Sequence, residues 1–348
     1  MSLRLTQFPQ STQSSRLARF CLGYGSDMTS MQPDVLVIGA GVSGLTTAIC
    51  LAEAGRRVVV AAAEPPLRTT SAAAGAIWGP HLVGLDDRVG TWGLRTRARL
   101  TELAADPATG VRLATGTAAT RSGQSDAVDW VAAMDGARPC APAELPAGYA
   151  GGWRVTVPSV SMTVYLGYLL ARLARAGGEV RTADFGSLAE AAAMTTAPVI
   201  VNCTGIGARR LVKDDDLVPV RGQVVIARNP GLSEFFLGVG NAPYDLSYFV
   251  PHGDLLLLGG TEETGNWSLD PDPATAERIL RGCAAIEPRL AGVEVIEHRV
   301  GLRPVRPSVR LEEESLDGRR LLHNYGHGGA GVTLSWGCAE GVAAAVLV

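Results

Sequence analysis

Two glycine-rich turns almost a whole chain apart, the first set between an apolar strand and a helix, and a group of short strands between residues 223 and 259 predict an α/β fold. The reading is a Rossmann-like dinucleotide-binding domain joined to a second domain built on a mixed, largely antiparallel sheet. The first turn, Gly39-Ala40-Gly41-Val42-Ser43-Gly44, follows the apolar residues Val35, Leu36, Val37 and Ile38 and opens a helix-like segment at 45–52. Strand, tight turn and helix N-terminus stand in the order a dinucleotide needs. Gly39 makes the turn, Gly41 lets the backbone approach a pyrophosphate, and Gly44 lets the helix pack close on the strand. This turn alone does not separate FAD from NAD.

A second strand follows at 57–61, after which an acid is expected on the adenosine ribose; Glu64 lies at about the right distance. From residue 86 to 151 the chain is rich in Ala, Gly and Pro, and the charged run at 94–100 reads as a solvated helix face. Apolar residues at helical spacing predict a helix over 162–173, ended by Gly177-Gly178. The run 198–201 meeting Asn202-Cys203-Thr204-Gly205 reads as a buried strand that returns the chain to the cofactor. Strands at 223–227, 248–250 and 255–259, separated by short turns, read as an antiparallel meander. The second glycine-rich turn, from His323 to Thr333, precedes a last helix.

At 348 residues, 47% hydrophobic and 19% charged, the chain can bury a large core and has room for two domains. A formal net charge of −3 gives no basic footprint for nucleic acid. No apolar stretch reaches the roughly 20 residues of a membrane helix. The six cysteines are scattered without metal or disulfide spacing, which favours reduced thiols and a cytoplasmic location. His323 and His327 lack a carboxylate cluster, so no metal is expected; His81, His252 and His298 read as structural or surface residues. Residues 1–31 have no continuous apolar core and are expected to be a disordered extension.

Arg303, between apolar residues and followed by prolines, is a poor candidate for a freely solvated arginine: it serves either a buried ion pair or a carboxylate, which its planar fork fits. Arg306 reads as the structural one of the two. Tyr244 and Tyr248 lie four apart on a connection entering a strand, where tyrosines form core edges with a wet hydroxyl.

The motifs taken in order, Gly39 to Gly44, Thr69-Thr70-Ser71-Ala72-Ala73-Ala74-Gly75-Ala76-Ile77-Trp78, Val201 to Gly205, Val220-Arg221-Gly222-Gln223, Gly259-Gly260-Thr261, Gly301-Leu302-Arg303-Pro304-Val305-Arg306-Pro307 and the final glycine-rich turn, resemble the D-amino-acid oxidase family. The resemblance covers most of the chain from Asp34 onward. It implies FAD, held by Gly39, Ala40, Gly41, Val42, Ser43, Gly44, Thr69, Thr70, Ala74, Gly75, Ala76, Thr204, Arg303, Gly328, Gly329, Gly331, Val332 and Thr333. Thr69 and Thr70 are expected beside the pyrophosphate, and the usual acidic position for the ribose falls on Ala62. The resemblance further implies that Arg303 grips the substrate α-carboxylate, that the Tyr248 hydroxyl bonds it while Tyr244 covers the pocket, and that the Gly329 carbonyl accepts from the amine.

The expected reaction is oxidative deamination of neutral D-amino acids by hydride transfer from Cα to flavin N5, with oxygen as the final acceptor and a homodimer as an allowed assembly. Gly79, where mammalian members carry a polar amide, removes one amine contact, and Ala330 replaces an aromatic of some relatives. A D-aspartate oxidase, a glycine- or sarcosine-type oxidase and a flavin-binding protein without turnover are the alternatives. The expected division is an FAD domain from 32–95, 152–218 and 300–348, and a substrate domain from 96–151 and 219–299. Segment 234–250 holds no Arg or Lys, and Asp245 sits between the tyrosines, so acidic substrates are disfavoured.

Overall fold

The computed structural model describes residues 32–84, 86–122, 134, 136–239 and 246–348. In chain order the elements are β1 (Val35–Ile38), α1 (Val42–Glu53), β2 (Val58–Ala62), α2 (Asp87–Leu103), β3 (Val111–Thr120), β4 (Arg138–Pro139), β5 (Gly151–Val160), α3 (Met162–Arg175), β6 (Glu179–Thr182), α4 (Leu188–Ala193) and β7 (Val199–Asn202). There follow α5 (Ala208–Leu211), β8 (Val218–Arg228), β9 (Phe235–Val239), β10 (Tyr248–His252), β11 (Leu255–Gly259), β12 (Glu263–Thr264), α6 (Pro273–Ile286), β13 (Val295–Leu316), β14 (Arg319–His327) and α7 (Gly331–Leu347).

These strands form one continuous sheet in the order β4-β5-β3-β9-β10-β11-β8-β13-β14-β7-β1-β2-β6, with β12 beside β8. At one end β6, β2, β1, β7 and β14 run parallel. Strands buried on both faces read as uninterrupted apolar runs, and β1 is wholly buried along its length. One face is covered by α1, packed against α3 and α7, and α7 is apolar nearly all round because other elements enclose it. The other face is closed by a cluster containing Phe185, Leu188 and Leu321.

The strand order reverses between β1 and β7: the chain leaves β1 through α1 to β2 on one side and comes back through α4 to β7 on the other. Ligands bind in the crevice outside the carboxyl ends at such a reversal, and here those ends deliver Gly39 and Cys203, with Cys203 N–H donating to Ile38 O at 2.8 Å.

The expected meander is present with one strand added: β8, β11, β10 and β9 pair antiparallel in that spatial order. The 22-residue β13 joins the two parts of the sheet. Its first half pairs with β8, placing Arg303 opposite Val220, and its second half pairs with β14 after a register shift between Val305 and Arg310. Arg303 is therefore fixed on a strand just before the sheet changes character.

Two expected domain boundaries meet continuous elements. Position 95 falls inside α2, whose buried face of Val89, Trp92, Thr96 and Leu100 packs against α7 as one unit. Residues 151–160 form β5, which pairs with β3 in the antiparallel part rather than with the parallel strands. The extension at 1–31 lies outside the described residues.

Candidate active site

The fingerprint turn is shaped by contacts that exclude a Cβ. Gly39 has φ +109°, and a Cβ there would stand 2.5 Å from Cys203 O; a Cβ on Gly44 would fall onto the Gly39 carbonyl oxygen. Neither N-cap residue, Gly41 of α1 or Ala330 of α7, caps its helix through a side chain, and neither helix has an acid in its first turn; on α1 the first N–H, that of Val42, donates to Ser71 Oγ. Both N-termini keep a positive dipole end available. An anionic dinucleotide fits this arrangement: the two glycine-rich turns give it backbone N–H groups at close range, and Gly39 and Gly41 leave space that a side chain would fill.

A cavity of about 540 Å³ runs along this crevice. It is lined by Gly39, Ala40, Gly41, Val42 and Ser43 from the first turn; Thr69, Thr70, Ala74, Gly75 and Ala76 from the next loop; Thr204 after β7; Gly328, Gly329, Gly331, Val332 and Thr333 from the last turn; and Tyr248 and Arg303. Gly44 lies behind the turn, where it sets the closeness of α1 to β1. Tyr244 and Asp245 lie outside the described residues.

The threonines on the cavity wall also have partners within the protein. A hydroxyl has one proton to give, and Thr69 donates it to Pro66 O (2.7 Å), Thr70 to Leu302 O (3.3 Å), Thr204 to Asn202 Oδ1 (2.7 Å) and Thr333 to Gly79 O (2.8 Å). These hydroxyls brace the loops, and Thr333 also accepts from Gly79 N–H at 3.2 Å. Ser71, to which sequence reasoning gave no role, lines the cavity and accepts from Val42 N–H at 3.0 Å. Its position directly after Thr69-Thr70 was the available signal. At the adenosine end Glu64 lines the cavity but pairs with Arg68 at 3.5 Å. Asp184 and Arg210, bonded at 2.6 Å, line it too; they come from distant segments, so no local motif marks them.

At the other end Arg303 donates to Thr261 O at 2.9 Å, leaving the rest of its fork toward the cavity. It is partly buried, with Gly222 behind it: a Cβ at Gly222 would stand 2.5 Å from Arg303 Nη1. Tyr248 is held by Gly259 and Gly260, where a Cβ would strike its ring. Burial raises the Tyr248 phenol, and the neighbouring Arg303, which it also meets through a hydrogen bond, opposes that rise. The phenol stays protonated at neutral pH and can donate. Tyr248→Phe is expected to raise the substrate KM roughly tenfold, about 1.5 kcal/mol for one hydrogen bond to a charged group, with flavin content unchanged; steady-state kinetics on the flavin-loaded variant check it.

Arg306 is structural, as its sequence context suggested. It pairs with the buried Asp214 at 3.0 Å, and Tyr325 donates to the same carboxylate at 2.6 Å. Burial acts to raise the Asp214 carboxyl, but Tyr325 and Arg306 outweigh it and hold it below the ordinary range. His323 and His327 are buried on β14, bonded to Asn202 and Asn324 respectively; burial lowers His327 to about 4, so it is neutral. His81 lines the cavity with its side chain 36% exposed.

A nucleotide-binding crevice continuous with an arginine–tyrosine pocket defines a dinucleotide-cofactor enzyme. The chain belongs to the FAD-dependent oxidoreductase family, whose model matches residues 34–345. It is 51% identical over 310 residues to the D-amino-acid oxidase of Rubrobacter xylanophilus, covering 89% of this chain and 94% of that protein. It is 47% identical over 311 residues to the D-amino-acid oxidase of Streptomyces coelicolor, covering 88% and 94%, and 35% identical over 321 residues to human D-aspartate oxidase, covering 88% and 92%. Among solved structures, glycine oxidase from Geobacillus kaustophilus superposes with a TM-score of 0.77 at 21% identity, over 91% of this chain and 95% of that one, a likeness of fold.

Proposed function

We propose that this protein oxidises D-amino acids, neutral side chains ahead of acidic ones, to 2-oxo acids and ammonia. The observation that carries the reading is Arg303 and Tyr248 meeting on the wall of the cavity that the Gly328-Gly329 turn also lines. Arg303 binds the α-carboxylate through the part of its fork that Thr261 does not occupy, and the protonated Tyr248 adds a second donor. The Gly329 carbonyl accepts from the amine; the Gly329 N–H is held by His81 O at 3.0 Å, which fixes the turn. Three contacts orient Cα, and orientation is the protein's contribution. Bound FAD supplies a two-electron acceptor for the substrate and a route for those electrons to oxygen, so hydrogen peroxide is the co-product.

The pocket wall beside Tyr248 is apolar, with Leu237, Leu246, Val224 and Val250 on the cavity. A second substrate carboxylate would enter it without a partner, at a cost of roughly 3 kcal/mol. The kcat/KM for D-valine is accordingly expected to exceed that for D-aspartate about a hundredfold. Peroxide release measured with both substrates tests this, and a ratio below one would move the reading to a D-aspartate oxidase. The same reading has the enzyme in the cytoplasm, with a homodimer as an allowed assembly. Its cysteines Cys50, Cys140, Cys203, Cys283 and Cys338 are free, which suits a reducing compartment. Among the described residues no helix is long and apolar enough to cross a membrane.

A further inference from the structure

The adenosine end of the crevice lacks the group that a dinucleotide fold ordinarily provides there. In a strand–turn–helix–strand site an acid at the end of the second strand accepts from the ribose 2′-hydroxyl, but β2 ends in Ala62 and is followed by Ala63, and both line the cavity. Glu64 comes next, with its carboxylate engaged by Arg68 of the same loop.

The sheet brings a different carboxylate to this place. β6 runs parallel to β2 as its outer neighbour, and just beyond it Ala183 N–H donates to Ala62 O at 2.9 Å. The next residue is Asp184, which lines the cavity. Phe185 follows, buried in the cluster that closes the other face of the sheet, and so pins the segment. Arg210 of α5 lines the cavity as well and donates through Nη2 to Asp184 Oδ1 at 2.6 Å. The pair joins the segments that follow β6 and β7, and β1 and β2 lie between those strands in the sheet.

Both side chains are more than half exposed, so the pair weighs little in the stability of the fold. Its arrangement suits a ligand. A lone carboxylate at this point would repel an anionic dinucleotide; Arg210 offsets that charge and fixes the carboxylate through Oδ1. Among the described residues Oδ2 accepts from no donor, which leaves it for a neutral hydroxyl.

We propose that Asp184, oriented by Arg210, receives the adenosine ribose 2′-hydroxyl of FAD in this chain, in place of the side chain that Ala62 lacks. The inference concerns how the cofactor is held and is independent of which amine the enzyme oxidises.

The test displaces FAD from the flavin-loaded, full-length protein with ADP and, separately, with 2′-deoxy-ADP, following the fluorescence of released flavin. The ratio of the two half-displacement concentrations reads the hydroxyl contact and cancels changes in affinity for the rest of the cofactor. In the native protein 2′-deoxy-ADP is expected to require about tenfold more than ADP, as for one lost hydrogen bond to a charged group. In Asp184→Ala the ratio should fall to about one, and in Arg210→Ala, which keeps the carboxylate without its anchor, to a value between the two. Glu64→Gln should keep the native ratio. A native ratio within about twofold of one, or a ratio unchanged within about twofold in Asp184→Ala, overturns the proposal. A ratio that collapses in Glu64→Gln overturns it too, by moving the hydroxyl to that carboxylate, and a native ratio in Arg210→Ala overturns the orienting role. The comparison on the native protein needs no variant, so it decides the matter even where a variant does not fold.

Discussion

Arg303→Leu should leave the protein yellow and nearly unable to bind its substrate. Arg303 is on β13, paired with Val220 of β8, and its guanidinium is anchored by Thr261 O at 2.9 Å. The strand itself does not depend on the charge, so fold and flavin are expected to persist. What disappears is a charge-assisted, two-pronged contact to the substrate carboxylate, which would then lie beside Tyr248 alone. Losing a desolvated partner of this kind costs about 2–5 kcal/mol, or roughly 30- to 4,000-fold in kcat/KM at 1.4 kcal/mol per factor of ten. Kinetics on the purified variant, with flavin absorbance as the control, measure it. A KM equal to the native one would mean that another residue holds the carboxylate.

Gly44→Val should do the reverse: flavin is lost first. A Cβ at residue 44 overlaps the Gly39 carbonyl oxygen and comes within 3.4 Å of Cys203 Cβ. Neither obstacle is the flexible end of a side chain, so α1 must move away from β1. The helix N-terminus then withdraws from the crevice, and the backbone N–H groups that face the pyrophosphate go with it. Overpacking of this kind costs about 1–3 kcal/mol or more, and it is concentrated on the binding turn. The flavin-to-protein absorbance ratio is expected to fall more than tenfold, and native flavin content in the variant would show that the turn tolerates the separation.

The parts of the fold that read from sequence are those where local pattern and tertiary role coincide. Val35 to Ile38, the glycines at 39, 41 and 44, and the helix at Met162–Arg175 carry their own periodicity or backbone constraint, and they appear where expected. The long β13 was not legible. Prolines at 304 and 307 and the charged stretch Glu312, Glu313 and Glu314 interrupt any strand pattern, and the element exists because β8 and β14 pair with different halves of it. The helix at Asp87–Leu103 was only partly visible, since its buried stripe uses Gly93 and Thr96, which count as polar or neutral until α7 is seen against them.

The same distinction holds at the site. Arg303 and the glycine turns stood out from their immediate neighbours. Ser71, Gly222 and Asp184 did not: Ser71 matters because Val42 N–H reaches it across 29 residues, Gly222 because an arginine 81 positions later lies against it, and Asp184 because Arg210 is folded beside it. The threonines show a further limit of local pattern: the hydroxyls of Thr69, Thr70, Thr204 and Thr333 each have a backbone or side-chain acceptor close by in space that no motif marks.

The central claim, that Arg303, Tyr248 and the Gly329 turn present the Cα of a D-amino acid to bound FAD, is tested most directly by mixing the flavin-loaded protein anaerobically with D-valine and, separately, with L-valine while following flavin absorbance. The account predicts rapid bleaching with the D-enantiomer, a spectrum left unchanged by the L-enantiomer, and recovery of the yellow colour when oxygen is admitted. Bleaching by L-valine, or a flavin-loaded protein that D-amino acids leave fully oxidised, would contradict it.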